Sequence, residues 1–168
     1  NTAYGDCVLS KHPFQWVGNH AIPSASSSRY QAMAVDVDLS AVYGEGHKVR
    51  LINTHFDWLD TIGSREARLA SVRLIERAFC TDQNLPVILT GDLNAMPSSQ
   101  PMQRLSEAGW SQGTTTHALH SIGSPPDRQI DYVLVKAKQG WHIHRTYIAD
   151  EPVASDHRPI IMTLELTK

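Results

Sequence analysis

Between residues 31 and 39 the chain reads QAMAVDVDL, with Met33, Val35, Val37 and Leu39 alternating against Ala34, Asp36 and Asp38. A period of two belongs to a strand with one covered face. YGEGH (43–47) follows with two glycines and KVRLINTHF (48–56) is extended again, so an antiparallel hairpin is predicted. The period then changes. In SREARLASVRLIERAF (64–79), Ala67, Ala70, Leu74, Ile75 and Ala78 share one helical face, and Arg65, Arg68, Arg73 and Arg77 lie largely off it. Ser64 suits the N-cap, and Glu66 falls in the first turn, where the helix dipole favours an acid. PVILT (86–90), bounded by Pro86 and Gly91, is a short apolar run of the kind found in a strand buried on both faces. PMQRLSEAG (101–109) predicts a short helix stopped by Gly109, and QIDYVLVK (129–136) and PIIMTLEL (159–166) predict two further strands. The serine-rich IPSASSSRY (22–30) reads as a loop. This order gives an α/β chain with mixed sheets rather than an all-parallel one.

Composition narrows the class. With 168 residues, 41% apolar and 19% charged, the chain is a single globular domain able to bury a real core. No run of about 20 apolar residues is present, which argues against a spanning helix. The opening NTAYGDCVLSKHPF does not resemble a signal peptide and reads like the middle of a domain. Net charge is −2, so no bulk attraction to nucleic acid is visible, although a local basic cleft or a cation can serve a polyanionic substrate. Cys7 and Cys80 are flanked by apolar residues and read as two buried thiols, with a disulfide left open.

Four stretches place polar residues at a strand edge: NTHFD (53–57), TGDLN (90–94), QIDYVLV (129–135) and ASDHRP (154–159). Each alone has an ordinary explanation: a turn aspartate after glycine, an edge histidine, or a salt bridge from Asp131 to Arg128. Together they suit phosphoryl chemistry. Asp92, Asn94 and Asp156 offer hard oxygen ligands, better matched to Mg²⁺ or Mn²⁺ than to Zn²⁺. Asp131 can accept a ring N–H of His157, and His55 supplies a second imidazole across a phosphate. Ser155, Asp156 and His157 are adjacent and so cannot form the nucleophile–base–orienter chain of a serine hydrolase.

INTHFDW, PVILTGDLNAMPSSQPM, RQIDYVLV and ASDHRPIIMTLEL resemble the successive motifs of the endonuclease/exonuclease/phosphatase, or DNase I-like, superfamily. The resemblance runs from Gly5 to the end. It implies a four-layer α/β (α+β) sandwich, in which two mixed sheets face each other with helices outside. It also implies roles. His55 contacts the scissile phosphate, Asp92 orients or deprotonates the attacking water, and Asn94 holds that water or a phosphate oxygen. Asp131 pairs with His157, His157 binds phosphate or acts as base, and Asp156 joins Asp92 and Asn94 around the metal. Asp57 is implied as support for this set.

The family's usual early asparagine and its Gln-Glu strand have no counterpart here, and none of the six glutamates (45, 66, 76, 107, 151, 165) matches that ligand. The expectation is a domain incomplete on its N-terminal side, corresponding to the C-terminal two-thirds, with residues 1–14 resembling a later family strand. Such a chain would leave an unpaired sheet edge, bind Mg²⁺ weakly and turn over slowly unless a complementing N-terminal segment or chain joins it. The function expected is metal-dependent hydrolysis of a phosphodiester or phosphomonoester. The alternative is a non-catalytic binding remnant of the same fold. With Arg29 and Arg128 the only bases in the loops 23–30 and 120–129, a phosphorylated small molecule or lipid headgroup is favoured over long duplex nucleic acid. Trp58 and Trp110 are candidates for stacking or for packing.

Overall fold

The computed structural model describes residues 5–114, 119–123, 126–136 and 140–167. Residues 1–4 of the opening stretch and 124–125 of the loop 120–129 lie outside the described residues. Along the chain come β1 (Phe14–Ile22), β2 (Tyr30–Asp38), α1 (Ser40–Tyr43), β3 (Lys48–His55), α2 (Ile62–Phe79), β4 (Val87–Asp92), α3 (Gln100–Glu107), β5 (Trp110–Ser111), β6 (Ile122–Gly123), β7 (Pro126–Arg128), β8 (Asp131–Lys136), β9 (Trp141–Ile148) and β10 (Ile160–Leu166). Six of the strands form one mixed sheet in the order β1-β2-β3-β4-β8-β5. Within it β3 and β4 run parallel, and the other pairs are antiparallel. A second, two-stranded sheet pairs β9 with β10, and a third pairs β6 with β7. The class is thus mixed α and β, with one large sheet, smaller ones and few helices.

Residues directly opposite each other in a register share a face of the sheet. One such row runs Ala34, Ile52, Leu89 and Leu134, all buried, and α2 covers this face with Val72, Ile75 and Phe79. The hairpin of β2 and β3 forms as expected, but the side of β2 in this core is Ala32 and Ala34 rather than Met33, Val35 and Val37. Small residues there leave room for α2, and Val35 is equally buried on the opposite face. In the same α2-facing series, Asp36 receives both Nε and Nη2 of Arg50, at 2.7 and 3.0 Å, which compensates a carboxylate only 9% exposed.

Several local expectations shift. Helix α2 starts at Ile62, with Thr61 as its N-cap, because the Thr61 hydroxyl oxygen accepts the Ser64 N–H at 3.1 Å and Ser64 is buried inside the first turn. Strand β4 does not stop at Thr90 but continues through Gly91 and Asp92. Helix α3 ends before Gly109, which takes a φ of +88°. Residues 5–13 form no strand, although the Cys7 carbonyl accepts the Asn53 side-chain amide. Cys80 is buried, whereas Cys7 is exposed, and both are free thiols. Strand β1 lies at one edge of the large sheet and exposes Phe14 and Trp16. Strand β9 was not anticipated, and it pairs along the full length of β10. No helix of the described residues is long and apolar enough to cross a membrane.

Candidate active site

Three neighbouring strands carry a polar residue at the same level. His55 ends β3, Asp92 ends β4 and Asp131 begins β8, and the registers pair His55 with Asp92 and Asp92 with Asp131. The row lies on the face turned away from α2, two residues beyond Asn53, Thr90 and Val133 in the same alternation.

Gly91 makes this alignment possible. Its φ is +138°, and a Cβ there would lie 1.8 Å from the Thr54 carbonyl oxygen, so only glycine lets β4 run this close to β3. Beyond it Asp92 Oδ1 accepts the Asn94 N–H at 2.8 Å, closing a tight turn. Asn94 takes a φ of +44°, tolerable for asparagine, and its Nδ2 donates to the Phe56 carbonyl at 3.0 Å. Leu93, fully buried, pins the turn into the core, and its N–H donates to the Ile130 carbonyl. The sequence Thr-Gly-Asp-Leu-Asn is therefore a close strand approach followed by an anchored turn that presents two oxygen-bearing side chains.

His157 reaches the row from the segment before β10. Its Nδ1 lies 2.8 Å from Asp131 Oδ2, so the Nδ1–H donates to the carboxylate and Nε2 is the remaining ring nitrogen. Ser121 completes this arrangement. Its hydroxyl donates to Asp131 Oδ2 at 2.6 Å and accepts the N–H groups of Ile130 and Asp131, while its carbonyl accepts the Arg158 N–H and Ile122 bridges His157. Sequence reasoning passed over Ser121, since a lone serine in a loop carries no pattern. Arg128 does not pair with Asp131, and its Nε lies 3.3 Å from Asp127 instead.

His55 Nδ1 lies 2.8 Å from the Phe56 carbonyl, its Nε2 stands 3.6 Å from Asp92 Oδ2, and the Tyr30 ring stacks on it at 5.3 Å. Burial pushes the Asp92 carboxyl above the usual carboxylate range, and the neighbouring Asp131 charge adds to the rise. The Asn94 N–H, His55 and His157 pull the other way. Asp6 sits near His55 as well, its carboxyl raised by burial against the attraction of that imidazole.

The ligand atoms of Asp92, Asp131 and His157 all lie within 4.8 Å of one another. Asp156 is exposed beside His157, with the Ser155 hydroxyl as its side-chain partner at 3.4 Å, and does not join that group. A cleft of about 590 Å³ opens over His55, Asp92, Asn94 and His157, with Arg29 and Trp58 on its walls. Trp58 is exposed there, whereas Trp110 is core.

Asp57, fully buried, holds the surrounding loops. Its Oδ2 accepts the Ser24 hydroxyl and the N–H groups of Ala25 and Ser26, and its Oδ1 accepts the Leu59 N–H. The serine-rich loop that leads to Arg29 and Tyr30 is thereby tied to the segment carrying Trp58.

A statistical description of the endonuclease/exonuclease/phosphatase family matches residues 1–157, and the chain belongs to that family. Among solved structures, an endonuclease/exonuclease/phosphatase from Beutenbergia cavernae superposes with a TM-score of 0.74 at 23% identity, over 94% of this chain and 46% of that one. The human Nocturnin catalytic domain with bound sulfate gives 0.70 at 17% identity, over 95% and 62%. A Staphylococcus aureus beta toxin variant with bound magnesium ions gives 0.64 at 16% identity, over 95% and 66%. The chain thus spans between 46% and 66% of the length of these three structures. At these identities the likeness is one of fold. No curated protein matches the sequence.

Proposed function

We propose that this chain carries the catalytic centre of a divalent-metal-dependent phosphoester hydrolase, acting on a phosphodiester or phosphomonoester by in-line attack of water. The observation that carries the reading is the row of His55, Asp92 and Asp131 on three adjacent strands, with His157 bonded to Asp131 over one cleft. Family membership supports it.

The residues fit a cation. Two carboxylates and an imidazole converge, and Asp92 is held in a state that a nearby positive charge would relieve. Asp92 and Asn94 are hard oxygen donors, which suits Mg²⁺ or Mn²⁺, and the magnesium in the beta toxin structure supports that choice, with Asp156 outside the converging group. Bound there, the ion supplies Lewis-acid charge to the phosphate oxygens.

The chain's own groups do the rest. Asp131 fixes the tautomer of His157 and stabilises its imidazolium, so Nε2 can take a proton or, once protonated, donate to phosphate. Asp92 orients the attacking water, and its carboxylate stands beside His157 as the second group that could take the proton. His55, whose Nε2 stands 3.6 Å from Asp92 Oδ2 on the lining of the same cleft, donates to a phosphate oxygen as charge develops.

Hydrolysis of bis(p-nitrophenyl) phosphate with Mg²⁺, Mn²⁺ or EDTA tests the reading. Slow metal-dependent turnover is expected from this chain alone and faster turnover with a complementing N-terminal segment added, and Asp92→Asn or His157→Ala should each lower kcat by roughly 10²–10³-fold, the scale of losing a transition-state partner. Rates unchanged by EDTA overturn the metal. Losses below about tenfold remove these residues from the chemistry, and no turnover even with a complementing N-terminal segment favours a binding domain.

A further inference from the structure

A second cavity, of about 640 Å³, adjoins the cleft over the candidate site and shares Trp58, Asn94 and Ile130 with it. The two are therefore adjoining parts of one trough, and its combined size exceeds what a bare phosphate needs. The outer part has a distinct chemistry. Trp58 is 61% exposed and Met96 42% exposed on its walls, so an indole face is on offer that no core packing consumes.

Arg65, Arg68 and Arg128 line this part, against Asp60 as the single acidic residue of the lining. Arg68 is committed, since its Nη1 donates to the Asp57 and Leu59 carbonyls, yet its charge remains beneath the floor. Arg65 pairs with Asp60 and Arg128 with Asp127, and all four of those side chains are more than half exposed. Such exposed pairs are worth little and exchange readily for a better anion. The segment bearing Trp58 is not loose: Asp57 and Arg68 clamp it from both sides.

We propose that this outer trough is a substrate subsite that holds a flat ring on Trp58 and an attached anionic group between Arg128 and Arg65. The substrate class is then a phosphodiester whose arm beyond the scissile phosphate carries a planar heterocycle, as a nucleotide unit does. Stacking is tolerant of ring identity because every such ring has a π face, so the subsite selects the class rather than one base. The inference rests on the phosphoesterase reading for its location beside the reacting phosphate.

The test compares thymidylyl-thymidine bearing a terminal 5′- or 3′-phosphate with analogues in which one thymine or the other is replaced by an abasic tetrahydrofuran, each incubated with the full chain and Mg²⁺ and read by cleavage of the internucleotide diester. The expected result is a higher kcat/KM for the intact dinucleotide over at least one abasic analogue. Trp58→Ala should reduce that ratio about tenfold, the scale of one lost base–aromatic stack, and Trp58→Phe should restore much of it. Arg128→Gln should raise KM with little change in kcat and flatten its dependence on salt. A ratio of one, or a ratio that Trp58→Ala leaves intact, overturns the subsite while turnover itself keeps the phosphoesterase reading standing.

If none of the diesters is hydrolysed, even with a complementing N-terminal segment added, the catalytic reading fails, and the subsite is judged by binding alone. The indole N–H resonance of Trp58, assigned by its loss in Trp58→Phe, should then shift with the intact dinucleotide more than with the abasic analogues. Equal or absent shifts overturn the proposal.

Discussion

Gly91 and Asp57 decide what surrounds the candidate site residues without belonging to the proposed reacting set. A Cβ at Gly91 would sit 1.8 Å from the Thr54 carbonyl oxygen and would have to be carried at a φ of +138°. Gly91→Ala must therefore push β4 away from β3. The expected cost is about 3 kcal/mol or more, combining positive-φ strain with overpacking. For a chain of this size that lowers Tm by roughly 6–12 °C in calorimetry. Asp57 gives a second, pH-dependent case. Burial works to raise its pKa, but the donors from Leu59, Ala25, Ser24 and Ser26 outweigh it and hold the carboxyl below its ordinary value of 3.8. A depressed folded pKa means that the unfolded chain binds the proton more tightly, so the contribution is complete above the ordinary carboxylate range. It is lost as pH falls through the folded value. Asp57→Asn should cost about 3 kcal/mol at pH 7, because an amide NH₂ would face N–H and O–H donors. Denaturant titrations should show the difference from wild type narrowing below about pH 4. A difference unchanged down to pH 2 would contradict this account.

At the level of elements, α2 both covers the core face and anchors the segment bearing Trp58 through Arg68. Its first turn depends on Thr61, whose Oγ1 accepts the Ser64 N–H. Thr61→Ala should destabilise the protein by about 1 kcal/mol, and Thr61→Ser should recover most of that. Hydrogen exchange at Ser64 should accelerate in the alanine variant. Both the cap and the unanticipated strands show where sequence patterns stop being informative. Ser64 is a good capping residue by type, but Thr61 stands three positions earlier and its hydroxyl reaches the Ser64 amide. Strand β1, FQWVGNHAI, is exposed at nearly every position, so no buried face imprints a period on it. In β9, WHIHRTYI, Trp141 and Ile143 do alternate with the exposed His142 and His144, a signal that was present but short. By contrast β2, β3, β4, β8, β10 and α2 were legible, because each has at least one face that must be apolar.

The whole molecule assembles its candidate site from distant parts of the chain. The motif residues His55, Asp92, Asn94, Asp131 and His157 could be picked out in the sequence because polar groups at the ends of apolar strands are costly without a task. What the sequence could not give was their register. That His55, Asp92 and Asp131 stand side by side depends on one parallel and one antiparallel pairing, and on the close approach at Gly91. Ser121 and the Trp58 trough were equally hidden, since both gain meaning only from what the fold places beside them. Asp156, suggested as a hard oxygen ligand, lies exposed and outside the group that converges.

The row across β3, β4 and β8 would also make the proposed turnover a gauge of tertiary order. No locally formed hairpin or fragment shorter than the span from β3 to β8 can bring those three side chains to a common level, because β4 must already be seated between its two neighbours. In a urea titration, loss of hydrolysis should therefore coincide with loss of the sheet's circular dichroism, leaving no half-folded species that still works. If activity instead survives past the spectroscopic midpoint, the reacting groups are held by something smaller than the sheet.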